Sequence, residues 1–502
     1  MSIPTTLRVP FVYVEFDDSR AFQGPSILAY KALLIGQRTS GGSVAELVRK
    51  RITSADIAAD YFGDGSMLHE MAAKWFRGNK FTETYAIALN DASAGVAAAG
   101  TFNISGTATA SGSLSCLIAG TKVAVAITSG MSATQAGEAL EAAIIADTSL
   151  PVTANNVAGA VTVTAKNKGL HGNSIDIRVN YYDGEVVPAG LTVVVNAGTT
   201  QQGTLLNGAT NPDIQDVLDV LGDEWFQIMV CPLNDASSMT AIETELADRA
   251  GYLRMIDGVY ISAKRPTGAD KAAKLSALNS YGSGRNSQYV TMIHATDLPN
   301  DEAQVSAAYA AQIATEGQAD PARPFKTLEL IDILPPAIAD RFLISEDNSL
   351  LFDGISTFLS DTGGKVRIEQ AITMFQTNSA GAASISYYKV NTVLTLMYLR
   401  YDFRNQILSR YPRAKLADDG ARVAAGQQVI TPKIGKAEAI NIFRGWELLG
   451  LCENISQFKN DLVCVRNISD PNRLDWILPP DLVNQFDIGA ATIQFLLQSP
   501  SA

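Results

Sequence analysis

The sequence predicts a multidomain chain of mixed class. It has an α/β domain on a parallel sheet, an inserted β-rich domain, an α+β C-terminal domain and an extended arm at each end. Three observations predict this. The 502 residues exceed one ordinary domain of about 100–200 residues, and 47% hydrophobic with 18% charged residues is a globular balance. Strand and helix patterns alternate from residue 201 to 345, the order of βαβ units. Between residues 91 and 200 the chain turns rich in Ala, Gly, Ser, Thr and Val and poor in charge, with one strand pattern after another.

The N-terminal arm, residues 1–25, contains Val9-Pro10-Phe11-Val12-Tyr13-Val14-Glu15-Phe16. This run is β-branched and aromatic, hence extended, and Pro10 suits an edge because it cannot donate to a ladder. Gly24-Pro25 breaks it. Residues 26–90, the first part of the core, hold a buried strand at Ala32–Gly36 and a helix from Ser54 to Phe62. A second helix covers Leu68–Phe76 and a strand Tyr85–Leu89. In the insertion, residues 91–200, strands are expected at 100–108, 122–127, 161–165, 175–179 and 191–196, with one covering helix at 132–146. Residues 201–364 form the α/β domain. Its helices are expected at 214–221, 240–252, 268–281 and 301–314, and its strands at 226–231, 258–262 and 289–293.

Asp361-Thr362-Gly363-Gly364 reads as a hinge into the C-terminal domain, residues 365–485, and Gly24, Gly363 and Gly364 are the candidate flexible points. A strand follows at Lys365–Gln376, then a long helix at Val390–Tyr411. Val390, Val393, Leu394, Met397, Tyr401 and Leu408 share one face of that helix, and Arg400, Arg404 and Arg410 sit largely off it. Thr431-Pro432 marks a boundary before a helix at 436–449, and a strand is expected at 461–467. Residues 486–502 make a second arm with β character.

The net charge of −12 argues against a nucleic-acid binder, which would be basic. Residues 365–502 carry 15 Lys/Arg against 12 Asp/Glu, so the acidity resides in the body of the chain, which can pair head to tail with copies of itself. Cys116, Cys231, Cys452 and Cys464 have no metal-clip spacing and are expected reduced. The N-terminus lacks the apolar core of a signal peptide and no apolar run reaches about 18 residues, so a cytoplasmic protein without membrane insertion is expected. This also weighs against a surface adhesin, which the composition of residues 91–200 would otherwise suit.

Chemistry-bearing motifs are absent. His69-Glu70 begins like a zinc motif, but Ala73 replaces the second histidine, and His171 lies in a turn-like segment. No G-x-S-x-G elbow, phosphate loop or dinucleotide fingerprint occurs, and Ser283 lies in a glycine-rich turn. Asp418-Asp419 reads as a turn or a salt-bridging loop. No catalytic residue, cofactor or metal is therefore expected. The alternative reading is a hydrolase-like enzyme centred on His294, followed by Asp297 at the end of a predicted parallel strand.

At the C-terminal domain the residues become specific. Tyr387-Tyr388-Lys389-Val390-Asn391-Thr392, Tyr398-Leu399-Arg400-Tyr401-Asp402-Phe403-Arg404 and Tyr411-Pro412-Arg413-Ala414-Lys415-Leu416-Ala417-Asp418-Asp419-Gly420 resemble the tail sheath proteins of Mu-like contractile phages. Arg8 to Asp17 is similar to the family's N-terminal segment, and the middle domains match by architecture. The resemblance implies a virion structural protein, assembled in the host cytoplasm, that forms hexameric rings stacked around a tail tube. It implies contraction that drives the tube through a bacterial envelope for genome ejection. The partners implied are other copies, the tail tube protein, and baseplate and tail terminator proteins. It also implies a subtilisin-like α/β domain without a protease triad, a C-terminal domain nearest the tube, and terminal arms that donate strands to neighbouring subunits. On that reading Phe11, Tyr13, Phe16, Phe486, Ile488, Ile493 and Phe495 are the arm contacts, Arg400, Arg404 and Arg410 face the tube or a neighbour, and the insertion faces outward.

Overall fold

The run from Ala32 to Gln37 is buried at every position, so its strand needs neighbours and covering helices on both faces. That strand, β1 (Lys31–Gln37), is central in the computed structural model, which describes residues 28–198, 200–422, 424 and 426–497. Then come β2 (Lys50–Ile52), α1 (Ala55–Phe62), α2 (Met67–Gly78) and β3 (Glu83–Leu89). Ser54 and Ser66 start the two helices by accepting from the backbone N–H groups of Ile57 and His69. Trp75 of α2 is fully buried and donates from Nε1 to Thr84 Oγ1 at 3.0 Å, tying the helix to β3.

The insertion consists of β4 (Ala97–Gly106), β5 (Gly112–Ile118), β6 (Thr121–Ile127), α3 (Ala133–Ala146), β7 (Val152–Val157), β8 (Ala160–Lys168), β9 (Asp176–Val179), β10 (Leu191–Val195) and β11 (Gln202–Thr204). It forms two four-stranded antiparallel sheets, β10-β4-β8-β7 and β11-β9-β5-β6. Alternate residues turn inward. Phe102, Val161 and Val163 of one sheet share a core with Leu114, Ile118 and Ile177 of the other and with Leu140 and Ile144 of α3. Ser132 and Gln135 close a capping box at the start of α3. Strand β5 is not among the strands expected from the sequence, since Gly112, Ser113 and Ser115 carry little strand propensity. Its seven paired positions with β6 supply what propensity lacks.

Past the insertion come α4 (Gln215–Leu221), β12 (Ile228–Val230), α5 (Ala236–Ala250), β13 (Val259–Lys264), α6 (Lys271–Ser283), β14 (Val290–His294), α7 (Glu302–Ala319), α8 (Ile344–Phe352), β15 (Thr357–Ser360) and β16 (Val366–Gln370). The main sheet runs β14-β13-β12-β1-β3-β2, parallel except at β2. The strands expected from the βαβ rhythm thus join a sheet begun before the insertion. Asp235, Asp270 and Asp301 cap α5, α6 and α7, which is why α5 starts four residues before the expected Thr240. Gly363 and Gly364, the expected hinge points, lie in the turn of the β15–β16 hairpin. Asp361 Oδ1 accepts from the N–H groups of Gly363 and Lys365, both at 2.9 Å, and Gly364 takes φ +75°.

The chain divides into two compact units, residues 29–397 with the described tail from 484, and residues 398–483 with Leu28. The division falls inside α9 (Val390–Arg410), between Met397 and Tyr398. Val390, Val393, Leu394 and Met397 are buried, but Leu408, expected on the same face, is 55% exposed. The smaller unit continues with β17 (Lys415–Leu416), β18 (Val429–Ile430), α10 (Pro432–Leu448), β19 (Cys452–Glu453), α11 (Ile455–Asp461), β20 (Val463–Arg466), β21 (Leu474–Ile477) and β22 (Asp481–Leu482). Thr431 caps α10 and Pro432 occupies its first turn, so the expected boundary is a helix start. Phe443 stacks on Phe458 with ring centroids 4.1 Å apart, and Trp446 Nε1 donates to the fully buried Asp402 Oδ2 at 2.7 Å.

Phe102→Ala should destabilise the insertion by about 3–5 kcal/mol, the usual cost of removing a buried aromatic ring. Hydrogen exchange should then speed in β4 and β8 and stay unchanged in α7.

Candidate functional site

Among the described residues, the C-terminal tail is fastened around Gln485–Asp487 and uncovered beyond it. Gln485 Nε2 donates to Ala322 O at 3.2 Å, and Lys326 Nζ donates to the carbonyls of Phe486 (2.5 Å) and Asp487 (3.1 Å). The same ammonium lies 5.5 Å over the Phe486 ring. Lys389 pairs with Asp487 Oδ2, and Gln370 Nε2 donates to that oxygen at 3.3 Å. Past this clamp, Ile488, Ile493 and Phe495 are 86%, 88% and 77% exposed, and Phe486 within it is 76% exposed. Residues 484–497 form no strand or helix. An extended backbone with uncovered apolar side chains has the chemistry of a segment that adds to a sheet edge elsewhere.

The smaller unit presents a hairpin of complementary kind. In β20–β21, Cys464 pairs with Trp476 and Arg466 with Leu474 on one face, and Val463 with Ile477 on the other. The first face seats on α10 at Gly435. A Cβ there would meet Cys464 Sγ at 2.8 Å and Leu474 Cδ2 at 3.0 Å, and Trp476 Nε1 donates to Gly435 O at 3.2 Å. Val463, Val465 and Ile477 remain exposed, and among the described residues each strand of the hairpin pairs only with the other. Both outer edges therefore present ladder groups.

Of the residues singled out from sequence, Phe11, Tyr13, Phe16 and Gly24 lie outside the described residues. Arg400 and Arg404 are exposed on α9. Arg410 pairs with Glu438 of α10, to which Tyr411 Oη also donates at 2.9 Å. The residues that clamp the tail, Lys326, Gln370 and Lys389, were not found from sequence, because nothing in it links a lysine to a carboxylate about a hundred residues away. The turn signal Asp470-Pro471-Asn472 would have revealed the hairpin.

The groups considered for catalysis are placed otherwise. His69 Nδ1 accepts from Gly65 N at 2.9 Å, and Asp419 accepts from Lys433 N at 2.9 Å while Asp418 pairs with Arg466 at 3.1 Å. His171 is buried in a short 3₁₀ turn, 3.9–4.0 Å from Asp301 and Glu302. A cavity of about 550 Å³ opens at the end of β13, where α/β enzymes carry their sites. Three of its cations are engaged: Lys274 with Asp297 (2.6 Å), Arg178 with Asp176 (2.5 Å), and Lys264 with Asn234 Oδ1 (2.7 Å). Burial pushes the thiols of Cys116, Cys231 and Cys452 up to about 12, which suppresses the nucleophilic thiolate.

His294 is buried, with Phe358 stacked on its ring at 4.4 Å and Nδ1 3.1 Å from Thr296 Oγ1. Burial lowers it to about 3, so it stays neutral. Its Nε2 faces Asp347 Oδ1 at 3.8 Å. Burial, then repulsion from Glu369 and Glu346, pushes Asp347 up to about 7.

Residues 207–374 match the phage tail sheath protein central domain, and residues 383–496 match the phage tail sheath C-terminal domain. The chain is 37% identical over 496 residues to the Mu-like prophage FluMu tail sheath protein of Haemophilus influenzae, covering 99% of each. Two solved structures are similar at low identity. One is a sheath tail protein from Listeria innocua (13% identity, TM-score 0.45, 90% of this chain and 95% of that one). The other is the sheath of an extracellular contractile injection system in its contracted state (9% identity, TM-score 0.48, 98% of each).

Lys326→Ala with Lys389→Ala should release the tail clamp, and limited proteolysis within residues 484–497 should accelerate while the rest of the chain resists. For Asp347, the folded value lies above the unfolded one near 4. The stability it contributes is present below about pH 4 and is lost as the pH rises through about 7. Asp347→Asn should therefore raise the thermal midpoint more at pH 8 than at pH 5.

Proposed function

The chain belongs to the phage tail sheath family, and on that premise we propose that it polymerises as hexameric rings around a tail tube and contracts to drive the tube through a bacterial envelope for genome ejection. It is a structural protein of the contractile tail and not an enzyme. Its partners are other copies of itself, the tail tube protein, and baseplate and tail terminator proteins. It assembles in the host cytoplasm and resides in the virion tail.

The observation that carries the reading is that one chain holds a donor and an acceptor. Among the described residues, 488–497 lie uncovered beyond the clamp and the β20–β21 hairpin presents two open edges. A surface that offers one element and receives the same element from the next copy makes a heterologous contact, which generates rings and helical polymers. The N-terminal arm, with Phe11, Tyr13 and Phe16, serves as a second donor. The excess acidity of the body against the mildly basic C-terminal region favours the same head-to-tail contact.

In this account the α/β domain is a subtilisin-like scaffold without a protease triad, the insertion faces outward and the C-terminal unit lies nearest the tube, with Arg400 and Arg404 facing the tube or a neighbour. Contraction needs two packings of the same subunits. Strands shared between subunits hold the polymer together while the rigid bodies turn.

Truncation after Asp487 should leave a folded, soluble subunit with an unchanged circular dichroism spectrum and no tubes by negative-stain electron microscopy. Deletion of residues 1–20 should do the same. Tubes of normal length from either truncation would refute strand donation by that arm.

A further inference from the structure

A cavity of about 190 Å³ lies at the C-terminal end of β14, against α8 and the β15–β16 hairpin. Four polar atoms of residues lining it are buried without a hydrogen-bond partner among the described residues: His294 Nε2, Asp347 Oδ1, Ser360 Oγ and Glu369 Oε2. Buried polar atoms are almost always satisfied, so four such atoms around one cavity point to an occupant.

The character of the four atoms specifies that occupant. The carboxylate oxygens of Asp347 and Glu369 only accept. In the tautomer whose Nδ1 donates to Thr296 Oγ1, His294 Nε2 presents a lone pair to the cavity. Ser360 Oγ can accept as well. Arg341 also lines the cavity, but its Nε donates to Pro336 O at 3.3 Å and none of the four atoms accepts from it. A set of acceptors with two carboxylates calls for a cation with several N–H groups or for a metal ion. No group of three or more His, Cys, Asp or Glu among the described residues is arranged to hold a metal. His294 Nε2 and Asp347 Oδ1 are 3.8 Å apart, too far to bond each other and close enough to share one tetrahedral ammonium. Phe342 and Phe358 flank the imidazole at 5.4 and 4.4 Å and give an alkyl stem an apolar wall.

We propose that this cavity binds a primary ammonium group on an alkyl stem, the chemistry shared by a lysine side chain of another copy and a free alkylamine. Such a group would satisfy the orphaned acceptors and offset the repulsion between Asp347 and Glu369. The site goes beyond the assembly described above, and binding to the isolated subunit does not depend on that assembly.

The test is calorimetric titration of n-butylammonium chloride into the full-length subunit at pH 8, where Asp347 is mostly ionised, with n-butanol as the neutral control. Saturable binding of the ammonium alone is expected. It should weaken by at least about ten-fold in Glu369→Gln and in Asp347→Asn, the scale of one charged hydrogen bond. Should either variant fail to fold, the thermal midpoint of the parent protein must still rise with butylammonium and not with butanol. No binding, equal binding of butanol, or unchanged affinity in both folded variants overturns the proposal. Carbodiimide coupling of polymers assembled from mixed ¹⁵N-labelled and unlabelled chains separates the two sources. A lysine amide to Asp347 or Glu369 that bridges two copies assigns the ammonium to a neighbouring subunit. Its absence, with butylammonium binding retained, assigns the site to a free amine.

Discussion

The peptide groups of an extended segment must find hydrogen-bond partners, in a sheet or in water, and its apolar side chains must find cover. Among the described residues the tail beyond Asp487 has no sheet partner, so its peptide groups are left to water and its apolar side chains are without cover. The clamp by Lys326, Lys389 and Gln370 fixes where that tail leaves its anchor, so the uncovered residues start from a defined point. The proposed polymer rests on this arrangement. A tethered donor needs little reorganisation to pair with a neighbour, which limits the ordering cost that weakens disordered binding segments.

The rest of the architecture serves rigid-body behaviour. The six-stranded sheet, with β1 buried at its centre, is continued on both sides of the insertion, so the insertion is carried by a single scaffold. The insertion has a separate core, built from both of its sheets and α3. The hairpin in the smaller unit is held on α10 through the close approach at Gly435, where any side chain would have to displace Cys464 or Leu474. Packed interiors of this kind deform little, and large movements therefore concentrate between bodies.

Much of the fold was legible in the sequence, and the limits have physical reasons. The parallel sheet was visible because its strands are continuous apolar runs between capped helices, and α3 because Ser132 and Gln135 announce it. Strand β5 was not, since its serines and glycine gain their conformation from β6 and β9. Gly363 and Gly364 were legible as a chain reversal from their composition, whereas the Asp361 carboxylate that bonds the turn is seen only in the fold. Arg410 was visible as a charge off the apolar face, while its pairing with Glu438 is set only by the packing of α9 on α10. The exposed apolar tail residues were legible from β character near a terminus. Their clamp was not, because it is made of polar side chains brought together only by the tertiary fold.

Hydrogen–deuterium exchange followed by mass spectrometry, comparing the isolated subunit with assembled polymers, tests the central claim most directly. The account predicts that amides of residues 488–497 and of the outer edges of β20 and β21 become protected together on assembly. Unchanged exchange in both segments, in polymers that have formed, would contradict it.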